Sequence, residues 1–323
     1  MKKLMNDPEQ IVSAFLDGLV AANDTLIDRL EGTDVIVRRS LTPQKVGLVS
    51  GGGSGHEPAH AGYVGKGMLD AAVAGEVFTS PGADQFFAAI QAVDQGEGVL
   101  LLIKNYNGDV MNGEMAQEMA EAEGIKTEMV IINDDVAVND SEQRRGIAGT
   151  VLVQKITGAF AETGASLSDV KRVAEKAVSR IRSMSVALKP CTLPAVAQPS
   201  FDLSEDEMEV GIGIHGERGM ERRDVATSEK TAQLLLKSIL KEIPEEAPLA
   251  LLINGMGSTS LMEQHVFAND VMKQLNRDIQ HTFVGDYMTS LDMAGVSLTL
   301  LALDEELSKY LEAPVHTVQW TQY

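Results

Sequence analysis

Apolar residues fall into two alternating arrangements along the chain. Short unbroken runs, "KVGLVS", "GVLLLIKN" and "TEMVIIN", are separated by longer segments, "GADQFFAAIQAVDQG" and "GEMAQEMAEAEG", whose apolar positions return every three or four residues. The unbroken runs read as buried strands and the spaced segments as helices with one apolar face. "DVIVRR" adds a strand. Ile11, Phe15, Leu16 and Leu19 keep helical spacing behind Asn6-Asp7-Pro8, a capping side chain followed by proline in the first turn. Gly124 closes the helix "GEMAQEMAEAEG", and two further helices are expected over about 146–162 and 167–182.

"LKPCTLPAVAQPSFDLSEDEM" carries three prolines and then four acids, and reads as an irregular connector. A boundary placed there divides the chain into an N-terminal domain, 1–185, and a C-terminal domain, 186–323. Past it, "MEVGIGIHG", "APLALLING", "HTFVGDY" and "VSLTLLAL" read as strands. "TSEKTAQLLLKSILKEI" reads as a helix capped by Thr227 or Ser228. The expected class is α/β: two domains, each a mostly parallel or mixed sheet layered with helices.

Composition narrows the function. The 323 residues are 44% hydrophobic and only 4% aromatic, so aliphatic side chains and methionine must build the cores. A formal net charge of -20 sets aside nucleic acid and anionic membrane surfaces as partners. The single cysteine, Cys191, leaves no internal disulfide and no thiolate metal cluster, and is expected to be a buried small apolar residue. There is no apolar run of about eighteen residues. "MKKLMNDPEQ" turns acidic where a signal peptide would be apolar, so the expected location is cytoplasmic.

Polar groups repeatedly follow an apolar strand. "KVGLVS" runs into Gly51, Gly52, Gly53, Ser54, Gly55 and His56; "GVLLLIKN" delivers Lys104 and Asp109; "MEVGIGI" ends at His215-Gly216-Glu217. Open α/β sheets bind ligands beyond the carboxyl ends of their strands. Two histidines, a lysine and an aspartate delivered there could supply acid–base and nucleophilic chemistry. Each has a structural alternative. His56 could cap a helix starting near Glu57, Asp109 could cap the helix after it, Lys104 could be a solvated charge, and His215 a hydrogen-bonded half-buried histidine.

The glycine stretch fits neither phosphate fingerprint. No Gly-Lys-Ser/Thr follows, and a G-x-G-x-x-G frame starting at Gly51 ends on His56. It reads instead as a loop whose backbone can approach a small polar ligand. "INGMGSTS", ending at Ser260, reads as a ligand loop or a plain strand-to-helix turn. Arg144-Arg145 and Arg222-Arg223 are expected on solvated faces.

Taken together, "SGGGSGHEPAHAGYVGKGMLDAAVAGEVFTSP", "GVLLLIKNYNGD", "MEVGIGIHGERG" and "TSLDMAGVSLTLL…DEEL…APVHT" resemble the substrate-binding subunits of dihydroxyacetone kinases of the phosphotransferase-dependent type, over nearly the whole chain. The resemblance implies a two-domain homodimer that binds dihydroxyacetone covalently on His215 as a hemiaminal. It places His56 and Asp109 on the substrate hydroxyls, where they orient the reacting hydroxyl and help remove its proton. It makes Gly53, Ser54, Gly55 and Lys104 ligand contacts, with Ser80 a wall of the pocket.

It further implies that no nucleotide or metal belongs to this chain. ADP or ATP and magnesium would sit on a helical partner subunit, recharged indirectly by a multiphosphoryl protein of the phosphotransferase system. The alternative within the same resemblance is a dihydroxyacetone-binding co-activator of a transcription factor, without turnover. One departure is visible: the family pattern His-Gly-Glu-Pro-Gly has Arg218 in place of the proline, which loosens the loop and adds charge.

Overall fold

The computed structural model describes residues 2–323. It divides into two compact units that are not consecutive in sequence. Unit 1 comprises 2–132, 152–177 and 307–323; unit 2 comprises 133–151 and 178–306.

Unit 1 opens with the helix α1 (Ile11–Ala22), entered through a short 3-10 turn whose cap is Asp7, as the Asn-Asp-Pro signal predicts. The strands β1 (Ile27–Arg29), β2 (Val35–Arg38), β3 (Gly47–Ser54), β4 (Gly65–Lys66), β5 (Ala71–Val77), β6 (Val99–Lys104) and β7 (Thr127–Ile132) follow. Six of them form one sheet in the order β1-β2-β5-β3-β6-β7. The central pairs β5/β3, β3/β6 and β6/β7 are parallel, and β1 and β2 are added antiparallel. The parallel strands are the unbroken apolar runs, because helices cover the sheet and leave no face for polar alternation. Two such helices are α2 (Ala83–Val93) and α3 (Asn107–Ala122). Phe86, Ile90, Ala116 and Ala120 from them pack with Val49, Val73, Leu101 and Ile103 of the sheet.

The helices α4 (Gly149–Ala161) and α5 (Leu167–Ser179) come next. The chain changes unit near the start of α4 and near the end of α5.

Unit 2 holds β8 (Ile181–Lys189), the short antiparallel pair β9 (Thr192–Leu193) and β10 (Gln198–Pro199), then β11 (Glu207–Val210), β12 (Glu221–Asp224), β13 (Leu249–Gly255), β14 (Ile279–Gly285) and β15 (Ala294–Ala302). Its main sheet runs β12-β11-β8-β15-β13-β14. The helices α6 (Ser228–Ile239) and α7 (Leu261–Gln274) build its core with Leu235, Ile239, Phe267 and Val271 against Met184, Leu251, Ile253 and Leu298. Thr227 is the cap of α6. After α8 (Glu305–Glu312) the chain is back in unit 1, where β16 (Val315–Thr317) and β17 (Thr321–Gln322) join β4 in a three-stranded sheet.

Two expectations need correction, and one is made more specific. A cut at 185/186 would fall inside β8, which pairs on both sides, so no single boundary separates the units; the proline-rich connector is an internal excursion of unit 2. The second sheet is of the expected mixed kind, largely antiparallel with β13/β14 its parallel pair, because β15 inserts antiparallel between β8 and β13. The glycine stretch is not a loop at Gly51–Gly53. Those residues are paired in β3, and the strand runs on to Ser54.

Candidate functional site

Unit 1 gathers His56, Lys104 and Asp109 at the carboxyl ends of β3 and β6. The packing explains the glycines that lead there. Gly52 has φ +153, and a Cβ on it would run into Lys104 Nζ. A Cβ on Gly53 would stand 2.6 Å from Thr79 N and 2.9 Å from Phe78 Cα. The strand needs glycine because side-chain cation and neighbouring backbone occupy the space a Cβ would take. Ser54 Oγ donates to Gly75 O at 2.7 Å, and Gly55 N donates to Glu57 Oε1 at 2.9 Å.

No helix starts at Glu57. The chain makes turns there and a 3-10 turn at Ala61–Tyr63, since Pro58 disfavours helical backbone at the residue before it. His56 is therefore not a helix cap. It is buried, with its ring stacked on Phe78 at 5.1 Å between centroids and 14° between planes.

Lys104 is not a solvated charge. It is 1% exposed, and its Nζ lies 3.7 Å from Asp109 Oδ2, 3.3 Å from Gly51 O and 2.9 Å from His60 Nε2. Burial lowers its pKa and the Asp109 charge opposes that. Asp109 sits in the first turn of α3, where the helix N-terminus favours a carboxylate. It is buried, and its Oδ1 accepts no hydrogen bond.

Sequence reading missed His60. It is buried beneath Lys104, with Nδ1 2.9 Å from Gln154 Nε2 and 3.4 Å from Ser50 Oγ. Burial, and then the Lys104 charge, hold its pKa well below the usual histidine value, so it is neutral. The Lys104 ammonium donates to Nε2, which leaves the proton on Nδ1. Turning the Gln154 amide over presents its oxygen to that proton; as placed, Gln154 Oε1 accepts no hydrogen bond.

In unit 2, β11 stops at Val210, short of the expected strand end, and the chain turns through Gly211 (φ +77) and Gly216 (φ +81). His215 stands in this turn. Its Nδ1 is 2.8 Å from Glu217 Oε1, and its backbone N donates to Glu217 Oε2 at 2.9 Å. Burial pushes the Glu217 carboxyl up, but the hydrogen bond from His215, helped by the Arg145 charge, brings it below the usual carboxylate range. A carboxylate on Nδ1 selects the Nδ1–H tautomer and leaves Nε2 with its lone pair, the arrangement a nucleophilic imidazole requires. Arg218, at the departure from the family pattern, is exposed.

The first arginine pair differs from expectation, and the second lies on a solvated face as expected. Arg145 is partly buried, at 12% side-chain exposure, and ion-paired to Asp135. Arg144 is buried against Glu242 at 2.7 Å. Arg222 and Arg223 lie on an exposed strand, where Arg222 pairs with Glu209 and Arg223 with Glu221. "INGMGSTS" resolves as a strand-to-helix turn. Asn254 accepts from Tyr287 N and Met288 N, and Ser260 caps α7 in a reciprocal box with Glu263. Cys191 is buried, as expected. Among the described residues no group of three or more His, Cys, Asp or Glu side chains is placed to hold a metal. No helix among them is long and apolar enough to cross a membrane.

Comparison with known proteins identifies relatives over almost the whole chain. The chain matches the Dak1 domain over residues 17–319. It is 53% identical to the PTS-dependent dihydroxyacetone kinase 1, dihydroxyacetone-binding subunit DhaK, of Listeria innocua, covering 99% of this chain and 100% of that protein. It is 41% identical to the PEP-dependent dihydroxyacetone kinase, dihydroxyacetone-binding subunit DhaK, of Escherichia coli, covering 98% of each. Among solved structures, the dihydroxyacetone kinase from C. freundii in complex with AMP-PNP and Mg2+ superimposes with TM-score 0.94 at 40% identity, over 99% of this chain and 61% of that one. The dihydroxyacetone kinase operon co-activator Dha-DhaQ superimposes with TM-score 0.90 at 38% identity, over 95% of this chain and 98% of that one. On the domain match and these full-length relatives, the chain belongs to the Dak1 family of dihydroxyacetone kinase proteins.

Proposed function

We propose that this chain is the dihydroxyacetone-binding subunit of a phosphoenolpyruvate-dependent kinase and captures its substrate covalently on His215. The observation that carries the reading is the Glu217 carboxylate 2.8 Å from His215 Nδ1. The Nε2 lone pair adds to the ketone carbon and forms a C–N bond. The carbonyl π pair moves to oxygen, which takes a proton from water, while the Nδ1 proton passes through Glu217 back to solvent, leaving a neutral hemiaminal. A ketone or aldehyde is selected over glycerol, which offers no electrophilic carbon.

His56 and Asp109 act on the hydroxyl to be phosphorylated, orienting it and accepting its proton. Lys104 holds the Asp109 charge, and the backbone of Gly53, Ser54 and Gly55 contacts the ligand. The phosphoryl donor, ADP or ATP with magnesium, belongs in this reading to a helical partner subunit recharged by a multiphosphoryl protein of the phosphotransferase system, and this chain is a homodimer. The likeness to the Dha-DhaQ co-activator supports a second reading, ligand sensing without turnover; the His56, Lys104 and Asp109 set favours catalysis, because sensing needs no base.

The test is carbon-13 spectroscopy with dihydroxyacetone labelled at C2. Its ketone resonance should move to the tetrahedral range with wild type and stay in place with His215→Asn. Dihydroxyacetone phosphate should then form on adding the ADP-loaded helical subunit and a phosphoryl source. Absence of the tetrahedral carbon sinks the covalent step. Capture without product, with a competent partner present, favours the sensor.

A further inference from the structure

Neither the resemblance nor the capture step gives a role to Arg145, yet it is tied to the His215 turn at several points. Its Nη2 donates to Gly211 O at 2.7 Å, where β11 ends and the turn begins. Its Nη1 reaches Glu217 O at 3.5 Å, where the turn closes. The other side of the guanidinium is fixed by Asp135, through Nε at 2.9 Å and Nη2 at 2.6 Å. Asp135 is itself immobile: it is fully buried and also accepts from Ala137 N at 2.9 Å. Gly213 N donates to Glu217 O at 3.0 Å, and a Cβ on Gly213 would collide with Glu217 and stand 2.7 Å from Arg145 Nη1. Arginine's planar fork suits this task, because it makes several directed bonds at once from a rigid group.

We infer that Arg145, braced by Asp135, is a positioning residue that clamps both ends of the 211–217 turn and so holds Glu217 on His215 Nδ1. The inference deepens the capture reading and rests on it for its consequence. The clamp fixes which ring nitrogen is protonated and where the other one points. Lysine in its place keeps a charge near Asp135 but lacks the fork that reaches both carbonyls.

The experiment is nitrogen-15 spectroscopy of histidine-labelled protein, with His215 assigned by its loss in His215→Asn, together with adduct formation from C2-labelled dihydroxyacetone. Wild type should show His215 as the single Nδ1–H tautomer. Arg145→Lys should fold, show a mixture of tautomers, and hold about tenfold less adduct at a fixed ligand concentration. The double variant Arg145→Gln/Asp135→Asn, which leaves no buried lone charge, should do the same.

A folded variant with the wild-type tautomer and wild-type adduct overturns the clamp, and so does a tautomer mixture in wild type. Should neither variant fold, the wild-type tautomer alone decides. A single Nδ1–H tautomer in wild type with no adduct would instead overturn capture on His215 and leave the clamp standing. Equal adduct from wild type and an Arg145→Lys protein that keeps the single tautomer would do the reverse.

Discussion

Gly53→Ala tests the account of the glycine strand. The added methyl would sit 2.6 Å from Thr79 N and 2.9 Å from Phe78 Cα, where ordinary contact begins at 3.4 Å. The backbone at 78–79 must therefore retreat by about 0.8 Å at its closest point, or β3 must shift by as much. Neither is free to move alone. Phe78 N donates to Ser54 O at 2.9 Å, and Thr79 N donates to Glu76 O at 2.9 Å. Overpacking of this kind costs about 1–3 kcal/mol.

The same displacement carries the Phe78 ring, and His56 is stacked on that ring. A misplacement of about 1 Å at a reacting group costs roughly 100-fold in rate. Urea unfolding should show the stability loss, and dihydroxyacetone phosphate formation with the ADP-loaded partner should show the rate loss. Gly18→Ala is the control: it lies within α1 with nothing within 4 Å of a new Cβ, and should gain about 0.5–1 kcal/mol. A Gly53→Ala protein within about 0.5 kcal/mol of wild type and with full turnover would refute the reasoning.

Further outcomes follow from the buried polar groups. Glu217→Ala removes the acceptor from His215 Nδ1 and should lower adduct affinity about 10- to 100-fold, the worth of a hydrogen bond to a charged group; Glu217→Gln, which can still accept, should fall between. Equal carbon-13 titrations for all three proteins would exclude the role of Glu217. Lys104→Met strips Asp109 of its cation in a buried place and should cost about 3–5 kcal/mol, whereas Lys104→Met/Asp109→Leu should cost less than the two single changes together. Strictly additive urea midpoints at constant slope would show no coupling. His60 is held neutral, well below its ordinary 6.5, so in acid the unfolded chain binds a proton that the folded chain refuses. Its contribution to stability is complete above pH 6.5 and declines as pH falls below that, by up to about 1.4 kcal/mol per pH unit. His60→Gln should flatten that slope between pH 6.5 and 5, and an unchanged slope would contradict its burial as the neutral form.

The α/β layering was legible because a strand covered on both faces must be apolar throughout, as in "GVLLLIKN", while α2 and α3 show one apolar face. His56, Lys104, Asp109 and His215 were legible because each follows such a strand. What misled was local composition. Gly51–Gly53 have the composition of a loop, yet a paired strand crowded by Lys104, Phe78 and Thr79 selects the same residue. Arg144 and Arg145 have the composition of a solvated face, because Glu242 and Asp135, which bury them, are set by folding and not by neighbouring sequence. His60 left only the second histidine of "GHEPAH" as a sign. The unit boundaries were not legible: 132/133 carries no break in composition, and the proline-rich segment that does have one lies inside unit 2.

The pairing of β16 with β4 joins Thr317 to Gly65 and His316 to Lys66. During synthesis, the first unit thus waits on residues about 250 positions downstream of β4, although its six-stranded sheet is complete by Ile132. Until then β4 presents an open edge to other chains in the cell. A polypeptide stalled or clipped before Val315 should accordingly be more prone to self-association than the finished protein, and truncation from the C-terminus should harm the N-terminal sheet region before it harms the unit that lies between them in sequence.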